Sequence, residues 1–380
     1  MIDASAGPAV CRIMGGVDYL GGSPSWSEIP QPENVRRILV LRPGGIGDMI
    51  LLLPTLNLLI NHFPHAKMDI LCDNDSAGIM RLAQLDAEVL PYNTRPAAVV
   101  FHIVRNRYDL AIDTEQFHHF SAILARLSGA PSRIGFKINP RRNPLYSHLI
   151  NYDPSGPEPL EFARLLKPLK IEPPVHAIAG FLKNIDVSLP GGMEKALDDC
   201  SGAEGFAALQ PESRSRHKNW AADRFPDLIK RLRDRHGLGT ALIGDRSNRI
   251  VCDSIIKRVK PETDRIISCA GILDLNQTAM VIKKAKLFIG PDSAPAHLAK
   301  AAGVPSVTLF GPSDHIKWGM RTTRHAIVRK EMPCSPCFIF GYRKPCRNAE
   351  CMKSITVTDV WNAVEEILVS DRFQIPADPE

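Results

Sequence analysis

Ile38-Leu39-Val40-Leu41, entered from Arg37 and cut off by Pro43-Gly44-Gly45, is apolar at every position. A strand of that kind must be covered on both faces, the condition met inside a parallel sheet. Parallel neighbours are joined only by long crossovers. A helical stretch at about 48–62 follows directly, with Pro54 expected to kink or restart it. Residues 68–72 and Leu110–Asp113 read as further strands, and 120–127 as a helix. Strands alternating with helices mean βαβ units and an α/β fold.

Residues 171–191 are rich in proline and lack a helical period, so they read as a linker or domain crossover. The pattern then restarts. Strands are expected at Phe206–Leu209, 240–243, 286–289 and Ser306–Phe310, with helices at 223–235, 276–284 and 294–302. In the tail, Val357, Val360, Trp361, Val364 and Leu368 fall on one helical face. The reading gives a loosely ordered arm (1–34), a first Rossmann-like domain (35–175), a second (176–355), and a C-terminal helix and tail (356–380). Two such domains are expected to face a central cleft, with the last helix able to return to the first domain. Ligands of open α/β sheets bind beyond the carboxyl ends of the strands.

Composition narrows the class without naming a chemistry. Apolar residues make up 44% and charged residues 23%, ordinary usage that excludes disordered and fibrous chains. The excess of basic over acidic residues is 47 − 41 = 6, too small to mark a nucleic-acid protein without a clustered patch. No apolar run approaches the roughly 18 residues of a membrane span. The first 20 residues lack the basic start and apolar stretch of a secretion signal. A cytoplasmic enzyme is expected.

Three segments place reactive side chains at strand ends. In Arg42-Pro43-Gly44-Gly45-Ile46-Gly47-Asp48, Gly45 and Gly47 let the backbone approach a ligand, and the next helix presents free N–H groups to anions. The segment is neither a GxGxxG fingerprint nor a P-loop, and Asp48 suits a helix cap as well as a general base. Gly290-Pro291-Asp292-Ser293-Ala294-Pro295-Ala296-His297 lies between a strand and a helix whose start offers a place for a diphosphate. The plainer alternative is that Asp292 caps the helix and His297 packs inside. Arg214-Ser215-Arg216-His217-Lys218-Asn219-Trp220 suits phosphate oxygens, although such a run is more often a solvated loop.

Together with Tyr108-Asp109-Leu110-Ala111-Ile112-Asp113, Ser132-Arg133-Ile134-Gly135-Phe136 and Leu309-Phe310-Gly311-Pro312, these segments resemble glycosyltransferase family 9, the heptosyltransferase family, over roughly residues 36–368. The resemblance implies a GT-B fold. It also implies inverting transfer of a heptose or similar sugar from ADP-heptose or another nucleotide sugar to a lipopolysaccharide core or related glycan, with no catalytic metal. Asp48 would be the general base that takes the acceptor hydroxyl's proton, and Lys218 the cation that offsets charge on the departing diphosphate. Gly45, Gly47, Arg214, Asp292, Ser293, Ala294 and His297 would line the donor site. Arg133, Lys137 and Arg141, with Arg142, form a basic patch that suits an anionic glycolipid acceptor or a solvated face. Only the resemblance leaves open peripheral contact at the cytoplasmic face of the inner membrane. Ala221 stands where the family usually has proline, and residues 212–215 replace a small-residue turn. A protein (autotransporter) acceptor is an alternative. So are a sugar-nucleotide epimerase of related shape and a non-catalytic nucleotide-sugar-binding protein.

Five of the nine cysteines (Cys11, Cys72, Cys200, Cys252 and Cys269) are scattered and read as buried thiols. The other four, Cys334-x2-Cys337-x8-Cys346-x4-Cys351, fall within 18 residues. Four thiols this close suit tetrahedral coordination of a structural zinc or iron, with free or redox-sensitive thiols as the alternative. In relatives with similar cysteines the metal is iron. It would brace the loop before the last helix and do no chemistry.

Overall fold

The computed structural model describes residues 6–20, 29–172, 180–182, 184–339, 342–343, 346 and 348–372. Parts of the expected arm, linker and tail lie outside these residues. The chain divides into two compact units, Met1–Ala177 and Ile178–Glu380.

The first unit runs α1 (Gly7–Leu20), β1 (Arg37–Leu41), α2 (Ile46–His62), β2 (Lys67–Cys72), α3 (Asn74–Ala83), β3 (Glu88–Pro91), α4 (Pro96–Asn106), β4 (Leu110–Asp113), α5 (His119–Leu127), β5 (Ser132–Phe136), β6 (His148–Ile150) and α6 (Glu158–Arg164). Its strands form one sheet in the order β3-β2-β1-β4-β5-β6, each neighbouring pair parallel. Ile38, Leu39, Val40 and Leu41 are all fully buried, as a strand covered on both faces requires. Helix α2 continues through Pro54 as a single helix rather than restarting. An interior proline costs about 3 kcal/mol. The burial of Met49, Ile50, Leu51, Leu52, Leu53, Leu56 and Leu59, at about 1.5–3 kcal/mol each, outweighs it.

Part of the arm expected to be loosely ordered is instead helix α1, packed on α5 and the turn Asn143–Leu145. Cys11 is fully buried in the first unit's core. The glycines that suggested a loop allow close approach: a Cβ at Gly7 would lie 2.7 Å from His119 Cβ, and one at Gly15 2.8 Å from Pro144 Cβ.

The second unit runs α7 (Met193–Ser201), β7 (Phe206–Leu209), α8 (Phe225–His236), β8 (Gly239–Leu242), α9 (Arg249–Val259), β9 (Ile266–Ser268), α10 (Leu275–Lys284), β10 (Leu287–Pro291), α11 (Ala294–Ala301), β11 (Ser306–Phe310) and β12 (His325–Arg329). A two-stranded pair, β13 (Phe338–Ile339) and β14 (Tyr342–Arg343), then precedes α12 (Glu350–Lys353) and α13 (Val357–Arg372). The six-stranded sheet is again all parallel, in the order β12-β11-β10-β7-β8-β9. Each sheet therefore reverses its strand order once, between β1 and β4 in the first unit and between β7 and β10 in the second. Ligands of such sheets bind at these points.

Helix α13 buries Val360 and Val364, with Val357, Trp361 and Leu368 at the margin of the same core. The expected face is the one used, and it packs on α8, β11 and β12 of the second unit. Its entry is fixed there by Trp220, whose Nε1 donates to Ile355 O at 2.8 Å, and by Arg224, which donates to the same carbonyl and to Lys353 O.

Candidate active site

In the first unit the chain leaves β1 through Arg42 and enters α2 at Gly45, whose φ is +84°. That conformation favours glycine, and a Cβ here would collide with the Asp48 carboxylate. Gly45 holds the N-cap position, so Asp48 does not. Its Oδ2 instead lies 2.8 Å from Arg42 Nη2. The buried guanidinium also donates to Gly44 O (3.1 Å), Thr114 O (3.0 Å) and Gln116 Oε1 (3.4 Å), and stands over the Phe162 ring.

Glu115 and Gln116 arrive from the loop after β4, on the other side of the reversal point, and Glu158 heads α6. Glu158 is fully buried and accepts hydrogen bonds from Gln116 Nε2 and from the Tyr152 hydroxyl (2.6 Å). Arg42 therefore acts on three carboxylates, those of Asp48, Glu115 and Glu158. Burial pushes the Asp48 carboxyl up to about 6, opposed by Arg42 and reinforced by Glu158 and Glu115. Burial acts the same way on Glu115, but Arg42 and the Phe117 amide overcome it and hold that group below its ordinary range. A carboxyl poised near 6 is largely ionised at neutral pH yet more basic than an exposed one, which suits a general base.

In the second unit Lys218, from the loop after β7, reaches Asp292 at the end of β10. Its Nζ lies 2.7 Å from Asp292 Oδ2 and 3.3 Å from the Asp292 carbonyl. Asp292 is thus engaged by a cation and does not cap α11. His297 Nε2 stands 3.7 Å from the other carboxylate oxygen, and both residues are buried. Burial raises Asp292, but Lys218 and His297 overcome it and leave the carboxyl below its ordinary range. Burial pushes His297 down to about 3, with Lys300 adding to the effect, so its imidazole is neutral at neutral pH.

Ser293 occupies the N-cap position of α11, yet its hydroxyl donates to Gln210 Oε1 (2.6 Å) and Pro291 O (3.1 Å). The first amides, beginning at Ala294, therefore have no side-chain cap. A helix start of this kind, beside the Lys218 ammonium, favours anions. On the preceding loop Arg214 is exposed, whereas His217 is buried, so the basic run is only in part a solvated loop. Lys300, on α11, is 2% exposed, and its Nζ has no hydrogen-bond partner among the described residues.

The basic patch of the first unit is not as expected. Arg142 is buried, with Nη2 2.9 Å from Asp113 Oδ2 and 2.7 Å from the Tyr146 hydroxyl, and it donates to the Glu115 carbonyl at 2.8 Å. Arg142 thus braces the loop that carries Glu115. Arg133 turns its guanidinium to the carbonyls of Leu145 (2.8 Å) and Ala130 (2.5 Å). Of the four, Lys137 and Arg141 have exposed side chains.

No disulfide joins the cysteines among the described residues, and the five scattered ones are buried as expected. Burial raises Cys351, and Cys337, Cys346 and Cys334 add to it, so the clustered sulfurs lie close enough to act on one another. Thiols of this number suit zinc or iron, but among the described residues no three of these sulfurs converge within 4.8 Å of one another. The group that does so is Asp69, Glu88 and His102. There, however, Asp69 Oδ2 is already met by the Tyr108 hydroxyl (2.5 Å), His102 Nε2 (3.0 Å) and Arg37 (3.8 Å).

A family model described as glycosyltransferase family 9 (heptosyltransferase) matches residues 98–348. Lipopolysaccharide heptosyltransferase 3 of Escherichia coli is 27% identical over 350 residues, covering 85% of this chain and 97% of that protein. The structure of E. coli ADP-heptose lps heptosyltransferase II superposes with a TM-score of 0.69 at 19% identity, covering 88% of this chain and 99% of that one. The glycosyl transferase family 9 structure from Veillonella parvula DSM 2008 gives 0.71 at 18% identity, covering 90% and 100%. At such identity the structures speak for the fold, which is GT-B. With a family match over more than half its length, the chain belongs to glycosyltransferase family 9, the heptosyltransferases, and is a glycosyltransferase.

Proposed function

We propose that this enzyme transfers a heptose, with inversion, from ADP-heptose to a lipopolysaccharide core acceptor. The donor and acceptor classes are carried over from the names of its relatives, lipopolysaccharide heptosyltransferase 3 and ADP-heptose lps heptosyltransferase II. The observation that carries the reading is the Lys218–Asp292 pair at the uncapped start of α11. A fixed ammonium beside free amides is suited to a diphosphate that gains negative charge as it leaves.

In this reading the acceptor O–H gives its proton to the Asp48 carboxylate while its oxygen bonds to the anomeric carbon. The bond from that carbon to the diphosphate oxygen breaks on the opposite face, and ADP departs with the electron pair. The transition state is oxocarbenium-like, so Lys218 and the α11 amides stabilise the leaving group while Asp48 raises the nucleophilicity of the hydroxyl. Asp292 orients the Lys218 ammonium. The neutral imidazole of His297, Ser293, Gly45, Gly47 and Arg214 complete the donor-binding set, and Lys137 and Arg141 remain cations suited to an anionic acceptor at the cytoplasmic face of the inner membrane. Cys334, Cys337, Cys346 and Cys351 would hold a zinc or iron ion that braces the segment before α13.

The test supplies ADP-heptose and a heptose-deficient lipopolysaccharide core, and reads both ADP release and acceptor mass. The expected result is equimolar ADP and a core heavier by one heptose. Donor breakdown that never yields a glycosylated core, at any acceptor tried, would remove this assignment.

A further inference from the structure

We propose that the outward face of α4 docks the first unit on an anionic lipid surface. Helix α4 buries Val99 and Ile103 against the sheet, as a one-sided surface helix should. Its opposite face is not polar. Phe101 is 65% exposed and Val104, one turn on, is 48% exposed, with Ala97 and Ala98 exposed beside them. An aromatic residue left so far in water on a helix already anchored by its other stripe serves no purpose within this unit.

The ends of that face are basic, and the nearest acids, Asp69 and Glu88, gather on the His102 side of the helix. From residue 89 to residue 108 the chain contains no aspartate or glutamate, and Arg95, Arg105 and Arg107, all exposed, stand at the two ends of the helix. Asp109, the next acid, turns its carboxylate to the amides of Arg36 and Arg37. The neighbouring helix α5 carries no acidic residue either and ends in Arg126 and the exposed Leu127. Apolar tips flanked by arginines match a bilayer interface, where the rings enter the headgroup layer and the guanidinium groups meet lipid phosphates. A second copy of the same face would bring arginine against arginine, which disfavours a symmetric dimer. No helix among the described residues is long and apolar enough to cross a membrane, so the association is peripheral. The inference does not depend on the donor, the acceptor or the base.

The test is cosedimentation of the full chain with vesicles of phosphatidylglycerol and phosphatidylcholine, against phosphatidylcholine alone, at two salt concentrations. Binding is expected to the anionic vesicles only, and to weaken with salt. The triple variant Arg95→Gln/Arg105→Gln/Arg107→Gln should lower partitioning roughly 100-fold, at about fivefold per arginine. Phe101→Ser/Val104→Ser should lower it at least about tenfold. All five side chains are exposed, so unchanged thermal melting of both variants is the control for folding. Equal binding to neutral vesicles, no binding, or binding indifferent to both variants overturns the proposal. So does concentration-dependent dimerisation abolished by Phe101→Ser/Val104→Ser without vesicle binding, which would give the face to a second copy.

Discussion

The Asp48 carboxylate and the Arg42 guanidinium lie 2.8 Å apart, yet the carboxyl is held near 6 rather than below 4. Burial, together with the charges of Glu158 and Glu115, outweighs the ion pair. The arginine fixes the position of Asp48, and the two other carboxylates preserve its basicity. A base must be ionised to accept a proton, so kcat/KM is expected to rise with pH through about 6 and then level. Glu158→Gln removes a negative charge that opposes ionisation, so the midpoint should move to lower pH. Arg42→Met removes the favouring cation, so it should move to higher pH. Asp48→Asn should lower kcat/KM by about 10²–10⁴ above pH 6 and abolish the rise through that pH, so that the gap to wild type narrows in acid. A pH–rate profile of the four proteins checks all three, and a midpoint that stays put in both neighbours would remove this electrostatic account.

Lys218 is half-buried and Asp292 buried, so removing the ammonium strands a buried carboxylate. Lys218→Met is therefore expected to destabilise the second unit by about 3–5 kcal/mol, read from denaturant melts. If Lys218 also faces the diphosphate, ADP should bind about 10–100-fold more weakly and kcat should fall by about 10²–10³. Calorimetric titration with ADP, well below the melting transition, separates the two effects. Intact ADP affinity in a destabilised variant would leave Lys218 a structural role only.

The cysteine cluster predicts a metal that is structural. Metal analysis of protein purified without oxygen should find about one zinc or iron per chain, and a chelator should lower the melting temperature. Cys337→Ser and Cys351→Ser should each abolish metal retention while leaving ADP affinity within about twofold, because the ion has no part in bond making. Metal-free protein with normal stability would leave these residues as ordinary thiols.

How far the sequence disclosed this depends on where each signal originates. Strands β1, β4, β7, β10 and β11 are legible because double-sided burial forces continuous apolar runs. Strands β3 and β6 stand at a sheet edge, are short and only partly buried, and leave no such run. Helix α1 is hidden by glycines that serve close packing rather than a turn. At the site, Asp48, Lys218 and Asp292 are visible because strand-to-helix turns announce them. Glu158 is not, since its tie to Gln116 spans 42 residues and exists only once α6 is folded against the sheet. Arg142 misled in the opposite direction: among four basic residues, nothing local distinguishes the one whose partner, Asp113, waits inside the core.

Lys300 has no counterpart among the features legible in sequence, and it should limit stability. Its ammonium is buried without a hydrogen-bond partner among the described residues, and burial pushes its pKa down from 10.5 to about 8, opposed only in part by Asp292. At pH 7 the folded protein therefore holds a cation that the unfolded chain would solvate better. At 1.36 kcal/mol per pKa unit, that disadvantage is at most about 3 kcal/mol. Replacing the amine with an apolar chain of similar length, Lys300→Met, should raise the melting temperature at pH 7. The sign of the pH dependence follows from proton binding. Between about 8 and 10.5 the unfolded state holds more protons than the folded one, so wild-type stability climbs with pH over that window. The advantage of the methionine variant should therefore be full below pH 8 and shrink as pH approaches 10.5. Parallel melts across that range check it. An advantage that is absent at pH 7, or that grows as the solution becomes alkaline, would mean that the ammonium is satisfied in solution by groups such as internal water.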